Sequence, residues 1–228
     1  MYRNSNEEIE DSFQAFLVEG ANFTKVEEYA IIPKEMVAKE PPKRIMPFNI
    51  ALNCRGDLSD VFVCTYARDP TFERVRRNPK RYINFFKKCA GIIGFDFSVH
   101  SDMPIQKQKA QMGDNQSLTF FFGKNNIPVI PNARCGSDEL LDEFLSSFPK
   151  HTLIAIGTHG FIQKKKQKAE WFDFLEKVTQ ILEPSGIIVY GNLSGKVFDS
   201  LKENTKFYFY EPWISSDRKA RGGDLDVN

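Results

Sequence analysis

The chain has 228 residues, of which 41% are hydrophobic and 27% charged, and its formal net charge is +1. This composition excludes a disordered chain, a collagen, a coiled coil and a small disulfide scaffold. Near-zero net charge excludes a global pull toward nucleic acid or anionic membrane, so any nucleic-acid contact must come from a local basic patch.

Residues 1–10 are polar and acidic, with no apolar core of the signal-peptide kind. No apolar run reaches the roughly 18–20 residues that span a bilayer. The expectation is no membrane and a cytoplasmic protein. The cysteines Cys54, Cys64, Cys89 and Cys135 form no Cys-x-x-Cys pair, which argues against zinc-finger and thioredoxin readings and for buried free thiols.

In chain order, residues 7–23 form an acidic amphipathic stretch, followed by Pro33 and Pro41-Pro42. Residues 1–42 therefore read as an N-terminal helical arm and linker, 43–215 as an α/β domain, and 216–228 as a flexible tail. Apolar, β-branched runs at 48–52, 61–66, 91–95, 127–130, 152–156, 186–190 and 206–210 read as strands. Most are continuous rather than alternating, as in parallel strands covered on both faces. Helices are predicted at 71–89, 104–125, 137–148, 165–182 and 196–204. In the fourth, Trp171, Phe172, Leu175, Val178 and Leu182 form one stripe. The alternation predicts a mainly parallel sheet of repeated strand–helix units. A barrel-like, degenerate β/α barrel is preferred over an open doubly wound sheet, because the units follow one another without interruption.

In such folds the carboxyl ends of the strands share one face, and ligands bind there. Polar residues follow nearly every apolar run, so Asp96, Asn132, Arg134, Thr158, His159, Asn192 and Glu211 are predicted to converge. A carboxylate directly after a buried strand is costly unless paired. His159 lies between Gly157 and Gly160, which permit close approach of a ligand. Asp96 and His159 are the candidate catalytic acid/base pair. Arg134 is the candidate anion clamp, with Asn132, Thr158, Asn192 and Glu211 as ligand contacts. Plainer readings stand beside these: Asp96 as a turn or helix cap, His159 as a structural histidine, Asn132 as a turn residue, Arg134 in an ion pair with Asp96 or Glu211.

P-loop, dinucleotide and esterase motifs are absent. Three histidines argue against a His-rich metal site on numbers alone. Oxygen ligation of Mg²⁺ by Asp96, Asp102 or Glu211 stays open as an unspecific cofactor reading. One basic cluster comprises Arg74, Arg76, Arg77, Lys80 and Arg81, followed by Tyr82, Phe85 and Phe86 on a core-facing stripe. Another is Lys164, Lys165, Lys166 and Lys168. Such runs hold phosphate backbones or simply face solvent.

Several short segments occur in a fixed order. They are Gly94-Phe95-Asp96-Phe97-Ser98, Ser101-Asp102-Met103-Pro104, Gln108, Asn115, Ile130-Pro131-Asn132-Ala133-Arg134, Ala155-Ile156-Gly157-Thr158-His159-Gly160, Pro184 and Ile188-Val189-Tyr190-Gly191. Together, over roughly residues 43–213, they resemble an uncharacterised family of phages, plasmids and integrated elements of bacteria. The resemblance implies a mobile-element protein in a bacterial host and supplies no reaction or residue roles. The expected function is an accessory protein that binds or processes a small phosphorylated or nucleotide-like ligand at the strand ends. Two alternatives are a non-enzymatic protein that binds a host or replication factor, and nucleic-acid binding or cleavage through the Arg74–Arg81 cluster.

Overall fold

The computed structural model describes residues 14–158, 165–191, 198, 205–213 and 215, with side chains inside 165–182 described from Trp171 onward. Among the described residues, seven strands follow one another: β1 (Arg44–Pro47), β2 (Val61–Cys64), β3 (Gly91–Ile93), β4 (Val129–Ile130), β5 (Leu153–Gly157), β6 (Gly186–Tyr190) and β7 (Phe207–Tyr210). The helices are α1 (Phe48–Ala51), α2 (Glu73–Arg77), α3 (Ile83–Phe86), α4 (Ile105–Lys124), α5 (Leu141–Leu145) and α6 (Lys165–Leu182).

Every ladder is parallel, in the orders β1-β2-β3-β4 and β5-β6-β7. A bridge between Asn132 and Ala155 joins the two sheets. Ala133 N–H donates to the Ala155 carbonyl at 2.9 Å and Ala155 N–H to the Pro131 carbonyl at 2.8 Å. Strand order thus follows chain order with no reversal, whereas a doubly wound sheet turns back at a switch point. At the outer edges, the Tyr210 hydroxyl donates to the Pro42 carbonyl just ahead of β1.

Burial alternates along β5 and β6. Leu153, Ala155, Ile188 and Tyr190 join the core built on β1–β4. Ile154, Ile156, Ile187 and Val189 pack in a second cluster with Leu141, Phe144 and Leu145 of α5 and Trp171, Leu175, Val178 and Leu182 of α6. Both faces are covered, which is why the runs carry no polar alternation. The two sheets therefore share one buried cluster through Leu153, Ala155, Ile188 and Tyr190. Of the predicted α6 stripe only Phe172 departs, being half-buried.

Two elements differ from expectation. The run at 48–52 is not a strand: Phe48–Ala51 is a helical turn, and the strand lies just before it at Arg44–Pro47. The 71–89 helix is broken into short pieces, because Pro79 opens a new 3-10 turn at Pro79–Tyr82, where the Asn78 side chain accepts from Arg81 N–H. Tyr82 and Phe86 nevertheless meet Phe48 in the core.

Within the arm, Ala15–Val18 and Lys34–Met36 are 3-10 helices. Leu17, Ala30, Ile32 and Val37 pack into the first cluster, and Val37 bridges to Val129 beside β4. The tail at 216–228, the 196–204 helix (apart from Phe198, which is buried) and the Lys164 end of the second basic cluster lie outside the described residues. Among the described residues, no helix is long and apolar enough to cross a membrane.

Candidate functional site

The carboxyl ends of the strands open into one cavity of about 1110 Å³. Pro47 ends β1 there, Tyr66 follows β2, Asp96 follows β3, Arg134 follows β4, Tyr190 ends β6 and Trp213 follows β7. Trp171 and Phe174 of α6 complete an aromatic wall, while Arg68, His100 and Asp102 belong to its exposed polar wall.

The polar floor is a chain of contacts through Asn132. Its Nδ2 donates to Asp96 Oδ1 at 2.8 Å and to the Phe95 carbonyl at 3.2 Å, and its Oδ1 accepts from the Tyr66 hydroxyl at 2.9 Å. Two acceptors on one side and a hydroxyl on the other fix the amide orientation. Asp96 Oδ2 faces Arg134 Nη1 at 3.8 Å, and Arg134 Nη2 donates to the Val99 carbonyl at 3.4 Å. The side chains of Arg134 and Asp96 are 11% and 12% exposed, so the pair sits in low dielectric yet reaches the cavity. Burial pushes the Asp96 carboxyl above the ordinary carboxylate range; Arg134 and the Asn132 amide pull it back down only in part.

Backbone anchoring explains why Asp96 stays in place. Its N–H donates to Thr65 Oγ1 at 2.9 Å. The next residue, Phe97, is clamped on both polar groups by the Asn115 side chain of α4, at 2.8 and 3.1 Å. Asp69 accepts from Ser98 Oγ at 3.0 Å and from Ser98 N–H at 3.2 Å. Gln108 of α4 donates to the Met103 carbonyl at 2.8 Å and accepts from Ser137 Oγ at 2.8 Å, tying two rim loops together. Gln108 and Asn115, buried polar residues in a helix, thus hold the rim rather than a ligand.

Close approach shapes the floor as well. A Cβ on Gly94 would lie 2.7 Å from Asn132 N, and one on Gly157 would lie 2.6 Å from the Tyr66 ring. Glycine at both places lets β3 meet the Asn132 seam and β5 meet Tyr66. Tyr66 stacks on Tyr190 with centroids 5.1 Å apart and planes 19° apart. Trp213 N–H donates to the Tyr190 hydroxyl at 2.8 Å. Cys135 also lines the cavity, and burial pushes its thiol up to about 12, which removes it as a nucleophile near neutral pH. Buried Cys64 lies beneath and is likewise pushed up to about 12.

Of the predicted site residues, Asp96, Asn132 and Arg134 come together. Thr158 lies at the β5–β6 rim, where its N–H donates to the Tyr190 carbonyl at 3.0 Å. Glu211 is exposed after β7, and neither it nor Thr158 is among the residues of the cavity wall. His159 and Asn192 lie outside the described residues. Among the described residues, no three His, Cys, Asp or Glu side chains gather to hold a metal ion.

The Arg74–Arg81 cluster is divided. Arg76 bonds Glu73 at 2.9 Å and Asp114 at 3.0 Å and covers the Phe97 ring at 4.6 Å. Arg77 pairs with Glu73 at 3.5 Å, and Lys80 sits 4.0 Å over the Phe16 ring. Arg74 and Arg81 are exposed.

A family model described as Domain of unknown function (DUF4417) matches residues 24–210. The chain belongs to the DUF4417 family. The match begins inside the arm, earlier than the segments at 43–213 suggested, in keeping with the buried contacts of Ala30, Ile32 and Val37. Among curated proteins the chain is similar to the Gene 1 protein of Mycobacterium phage L5, with 23% identity over 154 residues, covering 65% of this chain and 67% of that protein. No solved structure matches. The DUF4417 chain is thus phage-related, and its residues Asp96, Asn132 and Arg134 all fall within the matched segment. Sequence reasoning missed Tyr66, Tyr190 and Trp213, the aromatic half of the cleft. A tyrosine closing an apolar run just before a small residue, as in Tyr66-Ala67 and Tyr190-Gly191, was the available signal.

Proposed function

We propose that this phage-related protein binds a small phosphorylated, nucleotide-like ligand in the rim cleft and exchanges a proton with it at Asp96. One observation carries the reading: a nearly buried Asp96–Arg134 pair lies on the wall of an open cavity that Tyr66, Trp171, Phe174, Tyr190 and Trp213 also line. Concave, mostly apolar sites with a few convergent polar groups are where small ligands bind. Aromatic rings offer a face to a base, and the exposed Arg68 and His100 offer charge and hydrogen bonds to a phosphate. A carboxyl with a raised pKa gives and takes protons nearer neutral pH than an ordinary aspartate.

The test is calorimetric titration of the purified full chain with nucleoside monophosphates, inorganic phosphate and short single-stranded oligonucleotides, repeated on Asp96→Ala. Binding of a mononucleotide that weakens in the variant supports the reading. Binding of none of them, or equal binding by wild type and variant, overturns it. Binding of oligonucleotides alone, lost on charge reversal of Arg74 and Arg81, favours the basic surface instead.

A further inference from the structure

We propose that the outward face of residues 80–88, with Arg74 beside it, holds the phosphate backbone of double-stranded nucleic acid without reading its sequence. The inference stands apart from the cleft, since none of these residues lines the cavity.

Positive charge is concentrated in one segment. Residues 73–88 carry seven cations and a single acid, Glu73, whereas the whole chain has a formal net charge of +1. The local structure turns this run outward. The 3-10 turn Pro79–Tyr82 passes directly into α3, and Lys87 N–H donates to the Ile83 carbonyl at 2.9 Å and Lys88 N–H to the Phe85 carbonyl at 3.1 Å. Along this helical path Pro79, Tyr82 and Phe86 are buried, while Lys80, Arg81, Asn84, Lys87 and Lys88 are exposed. Their spacings of three, four and seven place the exposed residues on one helix face. Arg74 lies one turn earlier, where its carbonyl accepts from Asn78 N–H at 3.2 Å, and it too is exposed.

Not all of these cations are available. Arg76 and Arg77 are engaged by Glu73, at 2.9 and 3.5 Å, and Lys80 lies over the Phe16 ring. Among the described residues, Arg74, Arg81, Lys87 and Lys88 form no salt bridge. Like charges at this spacing repel one another, and a polyanion relieves that repulsion.

The composition of the face selects the polyanion. A membrane-surface helix needs exposed apolar anchors, and the exposed large hydrophobics among the described residues, Phe23, Val26 and Phe209, belong to other segments. Protein interfaces are depleted in lysine, and single-stranded nucleic acid is held by stacking on exposed rings, whereas this face presents lysine, arginine and one asparagine. Duplex nucleic acid has the densest line of phosphates and asks only for cations.

The experiment follows fluorescence anisotropy of a labelled duplex of about 20 base pairs and arbitrary sequence, titrated with the full chain at rising salt. With four phosphate contacts, affinity is expected to fall about a hundredfold between 50 and 200 mM salt, a log–log slope of about −3 to −4. The triple variant Arg81→Ala, Lys87→Ala, Lys88→Ala is expected to flatten that slope to about −1 and to weaken binding at least about tenfold at the lower salt. Circular dichroism checks that the variant is folded, and the wild-type salt slope stands without it. A second duplex of unrelated sequence is expected to bind within about threefold, and Asp96→Ala to bind the duplex as wild type does. No duplex binding at about 50 mM salt, or an unchanged slope in the triple variant, overturns the inference. So does tighter binding of a single strand of the same length, or binding of phosphatidylserine-containing phosphatidylcholine vesicles in place of the duplex. Duplex binding lost in Asp96→Ala but kept in the triple variant overturns it in favour of the cleft. Failure of mononucleotides to bind overturns the cleft reading alone and leaves the salt slope as the measure of this face.

Discussion

Asn132 Nδ2 donates to Asp96 Oδ1 at 2.8 Å while Asn132 itself sits on the bridge to Ala155 that joins the two sheets. The residue that closes the seam of the fold is therefore the one that orients the cleft's carboxyl. Its Oδ1 also receives the Tyr66 hydroxyl at 2.9 Å, so one amide, placed just after β4, satisfies groups arriving from β2 and β3. Fold and site are coupled here through a single side chain.

Asn132→Ala removes that amide and leaves the Tyr66 hydroxyl buried without its acceptor and Asp96 without its donor. A buried polar group left unpaired costs about 1–3 kcal/mol. Urea unfolding is expected to show a loss of about 2–4 kcal/mol once the lost packing is included. A loss below about 0.5 kcal/mol, the scale of an ordinary surface substitution, would mean that the floor reorganises freely.

Asp96 makes stability depend on pH in a defined sense. Its folded pKa is raised, so between the ordinary value of about 3.9 and the folded value the folded state holds the extra proton. The stability this group contributes is complete below the unfolded pKa and declines as pH rises through that window. Asp96→Asn has no such proton to lose. The urea midpoint of wild type is expected to fall relative to that of the variant as pH rises above about 4, the ordinary carboxylate range. Parallel profiles would show that the carboxyl is not perturbed.

Six of the seven strands were legible as unbroken apolar runs, which in β2–β6 follows from cover on both faces, whereas in β7 Phe209 is exposed. β1 was not: Arg44-Ile45-Met46-Pro47 carries a charge and a proline in four residues. The apolar Phe48-Asn49-Ile50-Ala51 that follows is too short for its periodicity to separate helix from strand. Pro79 was the readable signal that the 71–89 helix could not run through, since proline lacks the N–H and clashes with the preceding turn. α4 hid its buried face, because Gln108, Asn115, Gln116 and Thr119 place polar side chains where amphipathicity looks for apolar ones.

The site was half legible for a similar reason. Polar residues directly after buried strands announce themselves, and Asp96, Asn132 and Arg134 met as expected. Tyr66 and Tyr190 close apolar runs, so they read as core; only their convergence from β2 and β6 shows that they also form the cavity wall. Such convergence across well over a hundred residues is a property of how the two sheets meet, which no local pattern encodes.

Arg76 separates a structural role from a nucleic-acid role within the basic cluster. Its guanidinium bonds Glu73, Asp114 and Gln111 and lies over Phe97, the residue next to Asp96. Arg76→Ala is expected to cost about 1–2 kcal/mol in urea unfolding, a figure reduced for the solvent that reaches the pair. Charge reversal at exposed Arg74 and Arg81 is expected to change stability by less than about 0.5 kcal/mol. If Arg76→Ala is as mild as those reversals, the network is a surface decoration and the loop carrying Asp96 is held by Thr65, Asn115, Asp69 and Asn132 without it.

Gly157→Ala tests the wedge at the base of the cleft. The added methyl would lie 2.6 Å from the Tyr66 ring. That ring has little room to retreat, since its hydroxyl is held by Asn132 and its face by Tyr190. Overpacking of this kind costs about 1–3 kcal/mol. The near-UV circular dichroism of the stacked tyrosines should weaken with the loss of stability. Replacing Tyr66 by Leu in the same chain should recover part of that loss, because the smaller side chain gives the methyl space while the hydroxyl's partner at Asn132 is sacrificed. If Gly157→Ala matches wild type in both measurements, the ring is not wedged, and the rigid aromatic floor on which base stacking depends is lost with it.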